Sequence, residues 1–218
     1  MVKPKGIVFF DIDGTLVPSG SSSSFLAARL GHQPELDRAE TLYAQGELTN
    51  QQVSEIDALG WRGVSAMSID QWLESLPLIE GIDTVVSWCR DNDVEPVLAS
   101  LAWLPVSRWI AERHGFTANG GPRVGFDGSV YDGTVAEHFD EFDKRDRALR
   151  FAGKMGVPVG GCCAVGDSRS DIPLFQAVPA SLALNADAAA QDAASTAIIA
   201  QDLTEILPWL REWLQRFD

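Results

Sequence analysis

Basic residues are scarce in this chain: 17 Lys and Arg stand against 31 Asp and Glu, for a net charge of −14. Such a field repels phosphate backbones and anionic lipid surfaces, which argues against a nucleic-acid or membrane-surface binder. Long apolar runs are missing as well, and none approaches the roughly 18 residues of a membrane helix. The basic opening Met1 to Gly6 is followed by a short apolar run that ends at Asp11, shorter than the ~7–15 residues of a secretory leader. Cysteine is sparse and odd in number, with Cys89 alone and Cys162-Cys163 adjacent, so neither a disulfide framework nor a C-x-x-C metal site is available. The three histidines, His32, His114 and His138, are too scattered to form a ligand set. These absences lead to the expectation of a soluble, cytoplasmic protein, without indicating its oligomeric state.

What is present is alternation. Residues 7–10 form a short all-apolar run of strand formers that stops at Asp11-Ile12-Asp13-Gly14, and residues 94–99 and 162–165 repeat the pattern. Residues 181–184 and 197–199 are two further short strand candidates. Helical periodicity occupies about 82–92, 105–114, 144–155 and 203–217. In the last of these, Trp209 and Trp213 lie four apart on one expected buried face. Strands alternating with helices of this length imply an α/β fold with a doubly wound parallel sheet, whose ligand site lies beyond the carboxyl ends of the strands. The Gly-rich stretch 120–134 reads as a β-hairpin.

One segment breaks the alternation. Residues 19–78 carry helical periodicity without a convincing strand. They open on a serine run (19–24) that reads as a hinge and a helix cap near Phe25, with breaks at Gly46 and Gly60 to Gly63. The expected organisation is an α/β core of residues 1–18 and 79–218 with a helical insert of residues 19–78.

Two acidic motifs sit where such a sheet would put its site. Asp11-Ile12-Asp13-Gly14-Thr15 follows the first strand, and extended backbone there would aim both carboxylates into one crevice. A calcium loop fails on spacing, because Thr15 and Ser22 stand where acidic ligands are needed. Gly166-Asp167-Ser168-Arg169-Ser170-Asp171 follows a later strand; there Asp171 is either part of a site or a helix cap. If those strands are neighbours, four carboxylates meet at one rim, an arrangement that calls for a hard cation such as Mg²⁺.

The two motifs resemble the first and fourth motifs of the haloacid dehalogenase superfamily. Ser100, at the end of the second strand, and Lys144, opening a later helix, resemble its second and third. The long interval before Ser100 and the shorter one after it are most similar to the phosphoserine-phosphatase-like branch, with a helical cap after the first strand. The resemblance implies a Mg²⁺-dependent phosphatase acting on a small phosphorylated metabolite through an aspartyl-phosphate. It makes Asp11 the nucleophile and Asp13 the general acid and base, with Ser100 and Lys144 on the phosphate oxygens. Asp11, Asp13 and Asp167 would hold the metal, Asp13 through its carbonyl, while Asp171 would orient Lys144 or the metal's waters. Phosphotransfer to an alcohol and a silent regulatory protein on the same fold are the alternatives. Two departures weigh against phosphoserine itself: Gly20 stands where that branch carries a Glu, and Leu101-Ala102 replace a Gly-Gly pair. Arg62, Trp61 and Trp103 are candidate substrate contacts, although a solvated arginine and packed tryptophans explain them as well.

Overall fold

The computed structural model describes residues 3–18 and 20–217. Met1 and Val2 of the basic N-terminus, Ser19 at the head of the serine run, and the last residue lie outside them. The first strand, β1 (Gly6–Phe10), is followed by four helices: α1 (Ser22–Leu30), α2 (Gln33–Ala44), α3 (Asn50–Gly60) and α4 (Ala66–Leu73). The alternation then resumes with α5 (Ile82–Asp91), β2 (Val94–Leu98), α6 (Leu104–His114) and the two-residue β3 (Thr117–Ala118). A hairpin of β4 (Arg123–Phe126) and β5 (Tyr131–Glu137) precedes α7 (Glu141–Lys154) and β6 (Cys162–Gly166). The chain closes with α8 (Ile172–Phe175), β7 (Ala180–Leu184), α9 (Ala188–Ala193), β8 (Thr196–Ile198) and α10 (Leu207–Leu214).

Six strands form one parallel sheet in the order β3-β2-β1-β6-β7-β8, and β4 and β5 pair separately and antiparallel. Every residue of β1 is buried, as a strand covered on both faces must be. Its side chains divide by parity: Val8 and Phe10 join a core built with α5, α6 and α10, while Ile7 and Phe9 join a core with α7, α8 and α9. Helices therefore cover both faces of the sheet, and the strand order reverses between β1 and β6. At that reversal the loops after two adjacent strands diverge to opposite faces and leave a crevice. Both acidic motifs leave the sheet there.

The core strands expected from sequence fall within a residue of their bounds, the hairpin runs three residues further, to Glu137, and the helix bounds shift more. The first helix starts three residues before Phe25, because Ser21 caps it by accepting from the Ser24 N–H at 2.9 Å. The segment expected as one helix over 203–217 is divided into 3₁₀ turns at Leu203–Ile206 and Gln215–Phe217 around α10. Trp213 in it is buried, whereas Trp209 is only half-buried against the same core.

Helices α1 to α4 are fastened to the sheet by polar contacts as well as packing. The Asp57 carboxylate on α3 is 2% exposed, accepts from the Trp103 indole N–H at 2.6 Å and meets His32 Nε2 at 2.8 Å. Trp61 is fully buried, edge-on to Trp103 and Tyr131 at centroid distances of 6.0 and 5.0 Å. Arg62 donates from Nε to the Asp132 carbonyl at 3.2 Å, on the hairpin. Both residues are thus structural, and neither lines the cavity described below.

Truncating Asp57 strands a buried indole N–H and an imidazole together. Asp57→Ala is therefore expected to destabilise the protein by about 1–3 kcal/mol, measured by denaturant unfolding. A neutral result would show that the helical layer is held by packing alone.

Candidate active site

Strands β1 and β6 pair in parallel from Ile7 with Cys162 to Phe10 with Val165, so Asp11 and Asp167 leave the sheet side by side. The Asp11 N–H still donates to the Val165 carbonyl at 2.9 Å, which carries the strand geometry one residue past β1. Ser100 follows β2 on the other side of β1, with the Ala99 N–H donating to Phe10 O at 2.8 Å. Three neighbouring strand ends thus deliver Ser100, Asp11 and Asp167 to one rim.

Lys144 reaches the same rim from beneath. It sits in the first turn of α7, whose start is fixed by a capping box: Asp140 accepts from the Phe142 and Asp143 N–H groups, and Asp143 caps back. Its side chain has no exposed surface; Nζ stands 2.7 Å from Asp171 Oδ1 and 3.2 Å from Asp11 Oδ1. This is a buried lysine clamped between two carboxylates. Burial on its own would favour the neutral amine, but Asp11 and Asp171 outweigh it and hold the ammonium above its ordinary range.

Asp171 is the hub of the fourth motif. One oxygen takes the lysine; the other accepts from the Asp167 and Ser168 N–H groups at 3.0 and 3.2 Å. It makes no side-chain cap to α8, so the helix-cap alternative fails for that helix. Two glycines are imposed by this crowding. A Cβ on Gly166 would lie 2.1 Å from Asp171 Cγ, and one on Gly14, at φ +80°, would lie 2.0 Å from Asp167 Oδ2.

Carboxylate oxygens of Asp11, Asp167 and Asp171 all fall within 4.8 Å of one another. Burial, then repulsion from Asp171 and Asp11, raises the Asp167 carboxyl; burial and Asp11 raise Asp171 against the pull of Lys144. Hard oxygen ligands crowded beyond what one ammonium can neutralise suit a divalent cation of the Mg²⁺ class. Asp13 does not add its carboxylate to this group. Its Oδ1 accepts from the Ser22 N–H at 2.6 Å, and burial pushes its carboxyl up to about 6.

These groups open on a cavity of about 320 Å³. Asp11, Asp13, Ser100 and Asp167 line its floor, and Ser100 Oγ, almost fully buried, accepts from the Ala102 N–H at 3.1 Å. The structure therefore brings together every site residue expected from the sequence, with Lys144 and Asp171 directly behind the lining. Trp103 also lines the cavity, and Gly20 does so without any side chain. Sequence reasoning missed the wall supplied by α2 and α3, above all Glu40 and Tyr43. The available signal was Glu40 four residues after the buried Leu36, a charge on the apolar side of an amphipathic helix.

Comparison with known proteins gives a family and similar folds. The profile of a family described as haloacid dehalogenase-like hydrolase matches residues 8–176. The chain is 26% identical over 197 residues to a phosphoserine phosphatase of Mycobacterium tuberculosis, covering 90% of this chain and 48% of that protein. It is 25% identical over 202 residues to a phosphoserine phosphatase of Streptomyces coelicolor, covering 92% and 49%. The chain thus spans about half the length of these two relatives. A substrate-bound phosphoserine phosphatase shares the fold with a TM-score of 0.85 at 20% identity, over 95% of this chain and 99% of that one.

The raised carboxyls set an expectation for stability. They hold protons more tightly in the fold than in the unfolded chain, so without a divalent cation stability falls as pH rises from about 4 through about 6 and above. Mg²⁺ should raise the Tm, and more so at neutral than at acid pH. Asp167→Asn should raise the metal-free Tm and abolish the Mg²⁺ increment; a variant that keeps the increment would remove Asp167 from the metal site.

Proposed function

The chain belongs to the haloacid dehalogenase-like hydrolase family, and from that premise we propose that it is a Mg²⁺-dependent phosphatase of small phosphomonoesters, working through an aspartyl-phosphate on Asp11. The observation that carries this reading is Lys144, buried between Asp11 and Asp171 at the rim where Ser100 and Asp167 also emerge. A buried ammonium held against one carboxylate of a crowded acidic set is poised for an anionic ligand that approaches that carboxylate.

On this reading Asp11 attacks phosphorus, and the bond from phosphorus to the ester oxygen breaks as the bond to Asp11 forms. Asp13 gives its proton to the departing oxygen. It then takes one from the water that cleaves the aspartyl-phosphate, releasing inorganic phosphate. A carboxyl raised to about 6 is suited to both directions of transfer near neutral pH. Ser100 and Lys144 bind the non-bridging phosphate oxygens, and Asp171 keeps the lysine aimed. A Mg²⁺ ion held by the Asp11 and Asp167 carboxylates and the Asp13 carbonyl would supply charge neutralisation, letting one anion approach another. Residues 19–78 act as a cap that covers the leaving group and limits water during the first transfer.

The test is phosphate release from a panel of small phosphomonoesters with Mg²⁺ and with EDTA. Release should require the metal, and Asp11→Asn should lower kcat on the order of 10³-fold or more while the unfolding midpoint stays near that of the parent. Turnover that survives Asp11→Asn would overturn the nucleophile assignment.

A further inference from the structure

Six of the charged side chains lining the cavity are acidic, and among the described residues Arg169 is its single base. Arg169 is already engaged. It donates from Nη1 to the Tyr43 carbonyl at 2.7 Å, reaches Glu141 at 3.4 Å and lies 4.7 Å over the Tyr43 ring. The charged lining residues that α2 and α3 contribute, Glu40 and Asp57, are both acidic, and among the described residues the cavity's one base is already held by these contacts.

Two groups on that wall have unmet capacity. Asp57 is satisfied by Trp103 and His32, but among the described residues the Glu40 carboxylate has only the Ser21 hydroxyl, which donates at 2.6 Å. Burial pushes its carboxyl up to about 7 against the Ser21 hydrogen bond, and the negative charges of Asp13, Asp57 and Asp37 add to the rise. Tyr43 lines the same cavity, and its Oη is buried without a hydrogen-bond partner among the described residues. Burial also raises the phenol, so it remains a neutral hydroxyl with free lone pairs. A half-buried carboxylate with no cation partner among the described residues and a phenol oxygen likewise unpartnered, three residues apart on α2, both gain from a group with several N–H donors and a positive charge.

We propose that the leaving group is an amino alcohol without a carboxylate, its ammonium seated on the Glu40 carboxylate and the Tyr43 hydroxyl. The proposal rests on the phosphatase reading and adds the substrate class to it. The phosphate of such an ester lies toward Lys144 and the metal ligands, and its cationic end toward the acidic wall. Hydrolysis then yields the free amino alcohol and inorganic phosphate. Esters bearing a carboxylate on the leaving group are disfavoured, since that carboxylate would face Glu40 while Arg169, the one base lining the cavity among the described residues, is held by Tyr43 and Glu141.

The experiment compares kcat/KM for 2-aminoethyl phosphate, its uncharged counterpart 2-hydroxyethyl phosphate, and O-phosphoserine, with Mg²⁺, in the parent and in Glu40→Gln. The parent should prefer the amine over the uncharged ester at least about tenfold, and phosphoserine should fall below the amine. In Glu40→Gln the amine-to-hydroxyl ratio should drop toward one. Because that ratio is taken on one protein sample, loss of folded enzyme does not alter it. A parent ratio near one, a ratio that persists in Glu40→Gln, or a preference for phosphoserine overturns the assignment while leaving the phosphatase intact. Silence on all three esters and on p-nitrophenyl phosphate overturns the phosphatase reading itself, and this assignment with it.

Discussion

A lysine with no exposed surface holds the site together. Lys144 is the one cation among Asp11, Asp171 and their neighbour Asp167, and a buried charge of this kind is tolerable only when its partners are close and fixed. Much of the local architecture serves that condition. The capping box of Asp140 and Asp143 sets the first turn of α7 and with it the lysine's origin. The Asp167 and Ser168 N–H groups hold Asp171 from behind, and Gly14 and Gly166 give way to the side chains that crowd in. The parallel pairing of β1 with β6 then brings Asp11 onto the same nitrogen. Removing the ammonium would leave three mutually repelling carboxylates in a region with little water to screen them.

The parts of this arrangement that depend on local sequence were legible in advance. An all-apolar run that ends on Asp11-Ile12-Asp13-Gly14 announces a buried strand and a polar rim, and the second acidic motif announces another. Parallel neighbours then follow from the alternation of strands and helices. Lys144 was harder, because it sits in a charged run from Asp140 to Arg147 of the kind that solvated surfaces carry. Only the pairing of α7 with the fourth motif buries it.

What remained illegible depends on contacts between distant segments. Asp57 with Trp103, and Arg169 with Tyr43, join residues 46 and 126 positions apart. No periodicity within either segment signals these pairs. The short β3 gains its strand character from pairing beside β2, having too few residues to show a pattern of its own. Trp61 and Arg62 looked like candidates for substrate because they are large or charged in the insert. The hairpin β4–β5 claims both, and a hairpin's docking position follows from the tertiary fold.

The helical layer and the acidic rim are two halves of one electrostatic arrangement. A chain with net charge −14 opposes the approach of a phosphate dianion everywhere except where positive charge is concentrated. Here that place is the end of the cavity backed by Lys144, where Asp11 and Asp167 can also take a divalent cation. At the other end α2 and α3 present Glu40, and Arg169 is held against Tyr43 in place of facing the cavity freely. With a divalent cation seated at the Lys144 end, the two ends would differ in sign and would orient a dipolar ester before any shape is tested. The acidity that makes the rim costly without a cation is thus the same property that gives the cavity its polarity, and both follow from where two short motifs leave one sheet.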